Sequence, residues 1–372
     1  MKLKLDCKYF VGEKPCRHKV LCKDCDKYTP MGKRILIIKL AAIGDVLRTT
    51  AILRGFKRKY PQSHITWLTS DNANEILKNN QMIDRLLVFN IESVLQLEVE
   101  EFDLLLCLDK EPRATALAMK VNAKERLGFG MSPEGNLLPL NEESVYLYTL
   151  GLSDPLKFKI NKKTYPELIF EAAKLEYQHE EYILNLPGSD LDFAKSFLSR
   201  HEISEDALII GINTGAGDIF ANKAWTIDGF VELIKTISSN INCKILLLGG
   251  PNEVRRNEEI LSKMGGLVYD TGCDNSLHQF SSLINLCDLV VSGDTIAMHI
   301  AIALKKLLVT IFGPTCAQEI ELYGRGRKIV TKLECSPCYK RKCNEEVNCM
   351  DTISVERVYQ AVIDLLKENG KI

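Results

Sequence analysis

Two groups of cysteines have the residue type and spacing for metal chemistry. Cys7, Cys16, Cys22 and Cys25 stand with eight, five and two residues between them; Cys335, Cys338, Cys343 and Cys349 stand with two, four and five. Each group contains a Cys-x-x-Cys pair, the usual knuckle of a tetrahedral thiolate site for zinc or iron. The spacings match no common ferredoxin run. His18 is a spare ligand in the first group. The expectation is a structural zinc or iron at the clusters, as two sites or as one composite site if the chain's end returns to its beginning. Disulfides are the alternative, and for residues 1–30 so is a disordered tail.

A third candidate lies in residues 288–314, DLVVSGDTIAMHIAIALKKLLVTIFGP, which read as strand, tight loop, helix, strand. Gly293 breaks the first apolar run, and Asp294 and Thr295 are expected to cap the helix. Such a loop exposes a helix N-terminus at the carboxyl end of a parallel strand, where phosphates bind. An ordinary βαβ unit with a capped helix has the same pattern, so the pattern alone leaves both readings open.

These loops need elements to hold them. Residues 34–40 (RILIIKL) read as a strand buried on both faces, followed by the small-residue loop 41–44 and a helix that Asp45 caps and that stops before Pro61. Strands are expected at 64–69, 85–89 and 102–108, with one helix that Asp71 caps and another that Pro112 begins. Residues 142–150 and 166–175 look helical, and a linker falls near Leu186-Pro187-Gly188. A second alternation runs from the strand 207–213 through the loop Thr214-Gly215-Ala216-Gly217 to the strand 244–248 and on to residue 314. An amphipathic helix at 354–367 ends the chain. The fold class is therefore α/β, with two Rossmann-like doubly wound domains facing across a cleft and a small cysteine-rich N-terminal segment. The expected divisions are 1–30, 31–186, 187–334, a cysteine-rich loop at 335–350 and a terminal helix at 351–372.

A length of 372 residues and 46% hydrophobic content suit two buried cores. The net charge of −1 argues against a nucleic-acid partner bound through bulk positive charge. The start MKLKLDCKYF has no apolar stretch of signal-peptide type, and no apolar run reaches membrane-spanning length. Thirteen cysteines without such a signal fit a reducing, cytoplasmic setting.

ILIIKLAAIGDVLRTT, HITWLT, GDTIAMHIAIAL and VTIFGPT occur in this order over residues 34–330. Together they resemble the ADP-heptose heptosyltransferases, glycosyltransferase family 9. The resemblance implies a GT-B fold, with acceptor bound mostly by the first domain and nucleotide sugar by the second. It also implies inverting transfer without a catalytic metal. By this resemblance Asp45 matches the general base. Asp294, Thr295 and His299 match the D-T-G-x-x-H donor motif, Lys223 the diphosphate-binding lysine, and Thr214 and Gly215 the start of the donor loop. Ile296 departs from the pattern, standing where the family often has glycine. The C-terminal cysteines resemble those of iron-binding protein heptosyltransferases, and the N-terminal ones resemble an extension in a subset of the family.

The implied donor is ADP-heptose and the implied acceptor a lipopolysaccharide core or related glycan. Arg48 and Arg113 follow the carboxyl ends of strands and are candidates for an anionic acceptor. A lipid-linked acceptor would bring the protein, as a peripheral one, to the inner face of the cytoplasmic membrane. A protein acceptor, or a non-catalytic metal-binding scaffold, are the alternatives.

Overall fold

The computed structural model describes residues 3–216 and 223–372. Gly217, assigned above to a loop, lies outside the described residues. In the first domain the strands are β1 (Arg34–Ile38), β2 (His64–Thr69), β3 (Arg85–Val88), β4 (Glu101–Cys107), β5 (Asn122–Met131) and β6 (Leu137–Pro139). They form a sheet in the order β3-β2-β1-β4-β5-β6, parallel except for the β5–β6 pair. Ile37 of β1 sits between Trp67 and Leu106, and Ile35 through Ile38 are wholly buried. Helices α1 (Ile43–Thr49), α2 (Ile52–Lys59), α3 (Asp71–Leu77), α4 (Ile91–Val99) and α5 (Pro112–Lys120) alternate with these strands. Two further helices, α6 (Val145–Thr149) and α7 (Tyr165–Ala172), trail them.

After α8 (Gly188–Arg200) comes a second sheet, of β7 (Ile209–Asn213), β8 (Lys244–Leu248), β9 (Tyr269–Asp270), β10 (Leu289–Gly293), β11 (Leu307–Phe312) and β12 (Gly326–Val330). Its order is β12-β11-β10-β7-β8-β9, and every pair is parallel. Its helices are α9 (Ile227–Asn240), α10 (Val254–Met264), α11 (Leu277–Leu286), α12 (Ile296–Ala303) and α13 (Val355–Glu368). In each sheet the winding reverses once, between β1 and β4 and between β7 and β10. Ligands of such sheets bind where the winding reverses, beyond the carboxyl ends of the strands.

The two domains share an apolar seam. IAMHIAIA is apolar on every side, as a helix enclosed all round must be, and from Ala297 to Ala303 it is buried. It packs on α1 of the first domain, while α11 packs on α3 and α8. Residues 176–187 cross between the domains without regular structure. Glu180 pairs with Arg58 on α2, and its carbonyl accepts from the Tyr323 hydroxyl at 2.9 Å. Glu181 accepts two bonds from Arg325, at 2.8 and 3.1 Å.

Several local expectations are corrected. The helix expected from Asp45 to Pro61 is two helices. Thr50 separates them, its hydroxyl donating to Leu47 O and accepting the Ile183 N–H at 2.7 Å. The N-cap position of α1 is Ala42, so Asp45 lies inside the first turn, where its charge still favours the helix dipole. Ser70, not Asp71, precedes α3. Thr295 holds the N-cap position of α12, but its side chain makes no capping bond. The helices expected at 142–150 and 166–175 shorten to α6 and α7, and β5, β6 and β12 were not foreseen. The terminal helix α13 packs on α9, β11 and β12 rather than on the first domain. The second cysteine loop is tied to the second domain, Ser336 donating to Gly313 O and Cys338 N to Pro314 O. The N-terminal segment is held to the first domain by the Lys8–Asp84 ion pair.

Candidate active site

Beyond β1 the chain must turn in a narrow space, and Asp109 at the end of β4 holds the turn. Its Oδ2 accepts the N–H of Leu40 at 2.8 Å and that of Ala41 at 3.3 Å. Buried Lys39 stands 3.4 Å from the same oxygen and donates to Ala41 O. This braced turn delivers Gly44 and Asp45 to the cleft. Arg48, one helical turn on, approaches Asp45 Oδ1 at 2.9 Å and Glu319 at 3.7 Å, with its guanidinium 3.6 Å from the Tyr165 ring centre. Burial acts to raise the Asp45 carboxyl, but Arg48 and Lys39 outweigh it, and the net shift is below the ordinary carboxylate value.

The facing wall comes from the loops after β7 and β10. Asn213 donates to Ser292 Oγ at 3.1 Å and to Thr295 Oγ1 at 3.3 Å, which orients the threonine. Lys223 Nζ reaches both the carbonyl and the carboxylate of Asp294, each at 3.1 Å. Burial opposes ionisation of Asp294, yet Lys223 helps bring its carboxyl below the usual value. His299 is buried, and its Nδ1 has no hydrogen-bond partner among the described residues. Burial, then Arg48, lowers its imidazole to about 4 against the pull of Asp294 and Asp45, so it is neutral near pH 7.

These walls enclose a cavity of about 900 Å³, lined by Asp45, Arg48, Gly215, Lys223, Asp294, Thr295, Ile296 and His299 among others. That is room for a nucleotide sugar and part of an acceptor. Thr214 is not on its surface: its hydroxyl bonds to Asn257 Oδ1 at 2.5 Å, inside the second domain. Arg113 is also outside the lining, half exposed and paired with Glu111 at 2.8 Å. The sequence reading missed Tyr339, Lys157, Glu319 and Asn213. Tyr339 comes from the second cysteine loop, stacks on Phe158 at 5.4 Å and accepts the Cys316 N–H at 3.1 Å. Lys157 pairs with Glu319 at 3.4 Å and stands 4.5 Å over the Tyr339 ring. Only Asn213 carried a sequence signal, as the last residue of a buried strand.

Cys7, Cys16, Cys22 and Cys25 line one small cavity of their own. In the other group, burial and then Cys338, Cys343 and Cys335 push the Cys349 thiol up to about 11. As placed, no group of three or more His, Cys, Asp or Glu side chains among the described residues could hold a metal ion.

With this geometry described, known proteins can be compared. The lipopolysaccharide core heptosyltransferase OpsX of Haemophilus influenzae is 28% identical over 289 residues, covering 74% of this chain and 77% of that one. A glycosyltransferase family 9 structure from Veillonella parvula superposes with a TM-score of 0.74 at 20% identity, covering 90% and 98% of the two chains. The E. coli ADP-heptose lps heptosyltransferase II does so with 0.65 at 18%, covering 91% and 99%. The two parallel-sheet domains are thus those of a GT-B enzyme. Residues 94–348 match glycosyltransferase family 9 (heptosyltransferase), and the chain belongs to that family of glycosyltransferases.

Proposed function

We propose that this enzyme transfers heptose from ADP-heptose to a lipopolysaccharide core or a related surface glycan, with inversion at the anomeric carbon. The observation that carries the reading is the convergence of Asp45 and the Asp294–Thr295 loop, from opposite domains, on one cavity. Similarity to the lipopolysaccharide heptosyltransferases named above supports the sugar and the acceptor class.

In this mechanism Asp45 takes the proton of the acceptor hydroxyl as that oxygen bonds to the anomeric carbon. The bond from that carbon to the diphosphate oxygen breaks, and ADP leaves. A carboxylate ionised at neutral pH can act as this base. Lys223 and the backbone N–H groups at the start of α12 meet the charge that grows on the diphosphate. Gly215 lets the donor loop approach closely, while buried Thr214 supports the loop from behind. Arg48 acts through Asp45, holding the base in place, and Lys157 is the cation facing the acceptor. Cys335, Cys338, Cys343 and Cys349 of the loop at 335–350 would hold a structural zinc or iron, which would order the backbone that carries Tyr339.

No described helix is long and apolar enough to cross a membrane. A lipid-linked acceptor would be met peripherally, from the cytoplasmic side. Calorimetry with ADP-heptose, ADP, and UDP- and GDP-sugars is the test, joined to a transfer assay of Asp45→Asn. Selective binding of the ADP ligands, with transfer lost in Asp45→Asn and donor binding kept, is the expected result. Preference for another nucleotide would overturn the donor, and normal transfer by Asp45→Asn would overturn the base.

A further inference from the structure

The described part of the N-terminal segment is built inside out. Several of its apolar side chains point to solvent, Leu5 at 68% and Leu21 at 60% exposure. None of its described residues belongs to an apolar core. Cys7, Cys16, Cys22 and Cys25 line a single cavity of about 20 Å³, together with the rings of Tyr9, Phe10 and Tyr28. A void of that size holds about one water-sized sphere. A chain of this length cannot stay ordered on backbone hydrogen bonds while its leucines face water.

The backbone around the cavity is nevertheless closed. Cys7 pairs with Pro30 in an isolated antiparallel bridge, Lys8 N donates to Thr29 O at 2.8 Å, and Met31 N donates to Asp6 O at 2.9 Å. Cys22–Asp24 forms a tight 3-10 turn that brings Cys22 and Cys25 to the same side. Lys4 and Lys27 also line the cavity, and the Lys4 ammonium donates to Cys25 O at 3.2 Å. His18 lines the cavity as well; its ring meets the Tyr9 ring edge-on at 5.0 Å, and its Nε2 accepts from Arg17 at 3.4 Å.

We propose that Cys7, Cys16, Cys22 and Cys25 bind one thiophilic divalent cation, zinc or ferrous iron, which takes the place of a hydrophobic core for this segment. Binding forms four metal–sulfur bonds, and the protons of the thiols pass to solvent. No oxidant is involved. The site is separate from the catalytic cleft. Lys8 holds the segment to Asp84, just before β3, at the end of the sheet where the strands begin. The cleft lies where they finish.

The test uses the full chain, purified anaerobically in reductant from medium containing zinc and iron. Metal is counted by mass spectrometry in the parent, in Cys22→Ser/Cys25→Ser, and in Cys335→Ser/Cys338→Ser. The first variant should lose one ion per chain relative to the parent and keep the circular dichroism of the α/β body. The second variant should retain that ion, and its elemental identity separates zinc from iron. Cobalt(II) added to stripped parent protein should give a thiolate charge-transfer band that Cys22→Ser/Cys25→Ser lacks. Should that variant not fold, the parent still decides: a chelator should speed tryptic cleavage within residues 3–30 by about tenfold or more. Equal metal content in the parent and Cys22→Ser/Cys25→Ser would overturn the site. So would a Cys22–Cys25 disulfide in the reduced preparation, or cleavage that ignores the chelator.

Discussion

A Cβ built on Gly44 would stand 2.6 Å from Cδ2 of His299. The turn that carries the candidate base and the helix that carries the donor motif are therefore in direct contact across the domain seam. Gly44→Ala should force these surfaces apart, because neither the braced turn nor the buried helix can yield cheaply. Overpacking of this kind costs about 1–3 kcal/mol. Thermal melting should shift down by several degrees, and kcat/KM for transfer should fall by about tenfold or more. An unchanged melting temperature would mean that the seam is soft.

Acid should weaken the protein before its carboxylates titrate. An unfolded histidine takes up a proton near pH 6.5, whereas folded His299 resists until about 4. Between these values the unfolded chain binds more protons, so stability falls as pH falls through that window. Asp45 and Asp294, with folded values below the ordinary one, lose their stabilising contribution only at lower pH. Melting followed from pH 7 to 4 should show the first decline, and His299→Gln should flatten it. The rate of transfer should stay level until the pH falls below the normal carboxylate range of about 4.

Lys223 and Asp294 are joined at 3.1 Å, which sets the ammonium beside the start of α12. Lys223→Ala should weaken ADP binding by about 10- to 100-fold, the loss expected for a charge-assisted contact. Asp45→Asn should leave ADP binding within about twofold. Calorimetry on the two variants checks the division of labour between the walls.

Tyr339 separates two roles of one ring. Tyr339→Phe keeps the stack on Phe158 and loses the hydroxyl that accepts the Cys316 N–H. Tyr339→Ala loses both, and a stacked aromatic pair is worth about 0.5–1.5 kcal/mol. Steady-state transfer should fall by about fivefold to tenfold in Tyr339→Ala and by less than about threefold in Tyr339→Phe. Equal losses would place the function in the hydroxyl.

Asp45, Asp294, Thr295 and His299 were legible because loops at the ends of buried strands keep their position in sequence and in space alike. Arg48 was legible as a residue but not in its role, since Glu319 and Tyr165 come from distant parts of the chain. The same holds for Tyr339, which no local pattern ties to the cleft. Strand β5 was hidden by Lys124, Glu125 and Arg126, whose charges mask its alternation. Arg126 is spent on the carbonyls of Ala118, Val121 and Ala123, around the C-terminal end of α5, a use that hydropathy cannot reveal. Thr214 and Arg113 were misplaced because a strand-end position does not fix the direction of a side chain.

Glu180 and Glu181 are consecutive, yet their carboxylates are gripped by arginines from opposite domains, Arg58 and Arg325. Together they form a rivet through the two halves of the enzyme. Sliding one half past the other would break both pairs, whereas swinging about that one peptide would spare them. A rocking of the two halves about residues 180–181 is thus the relative displacement that keeps both pairs intact.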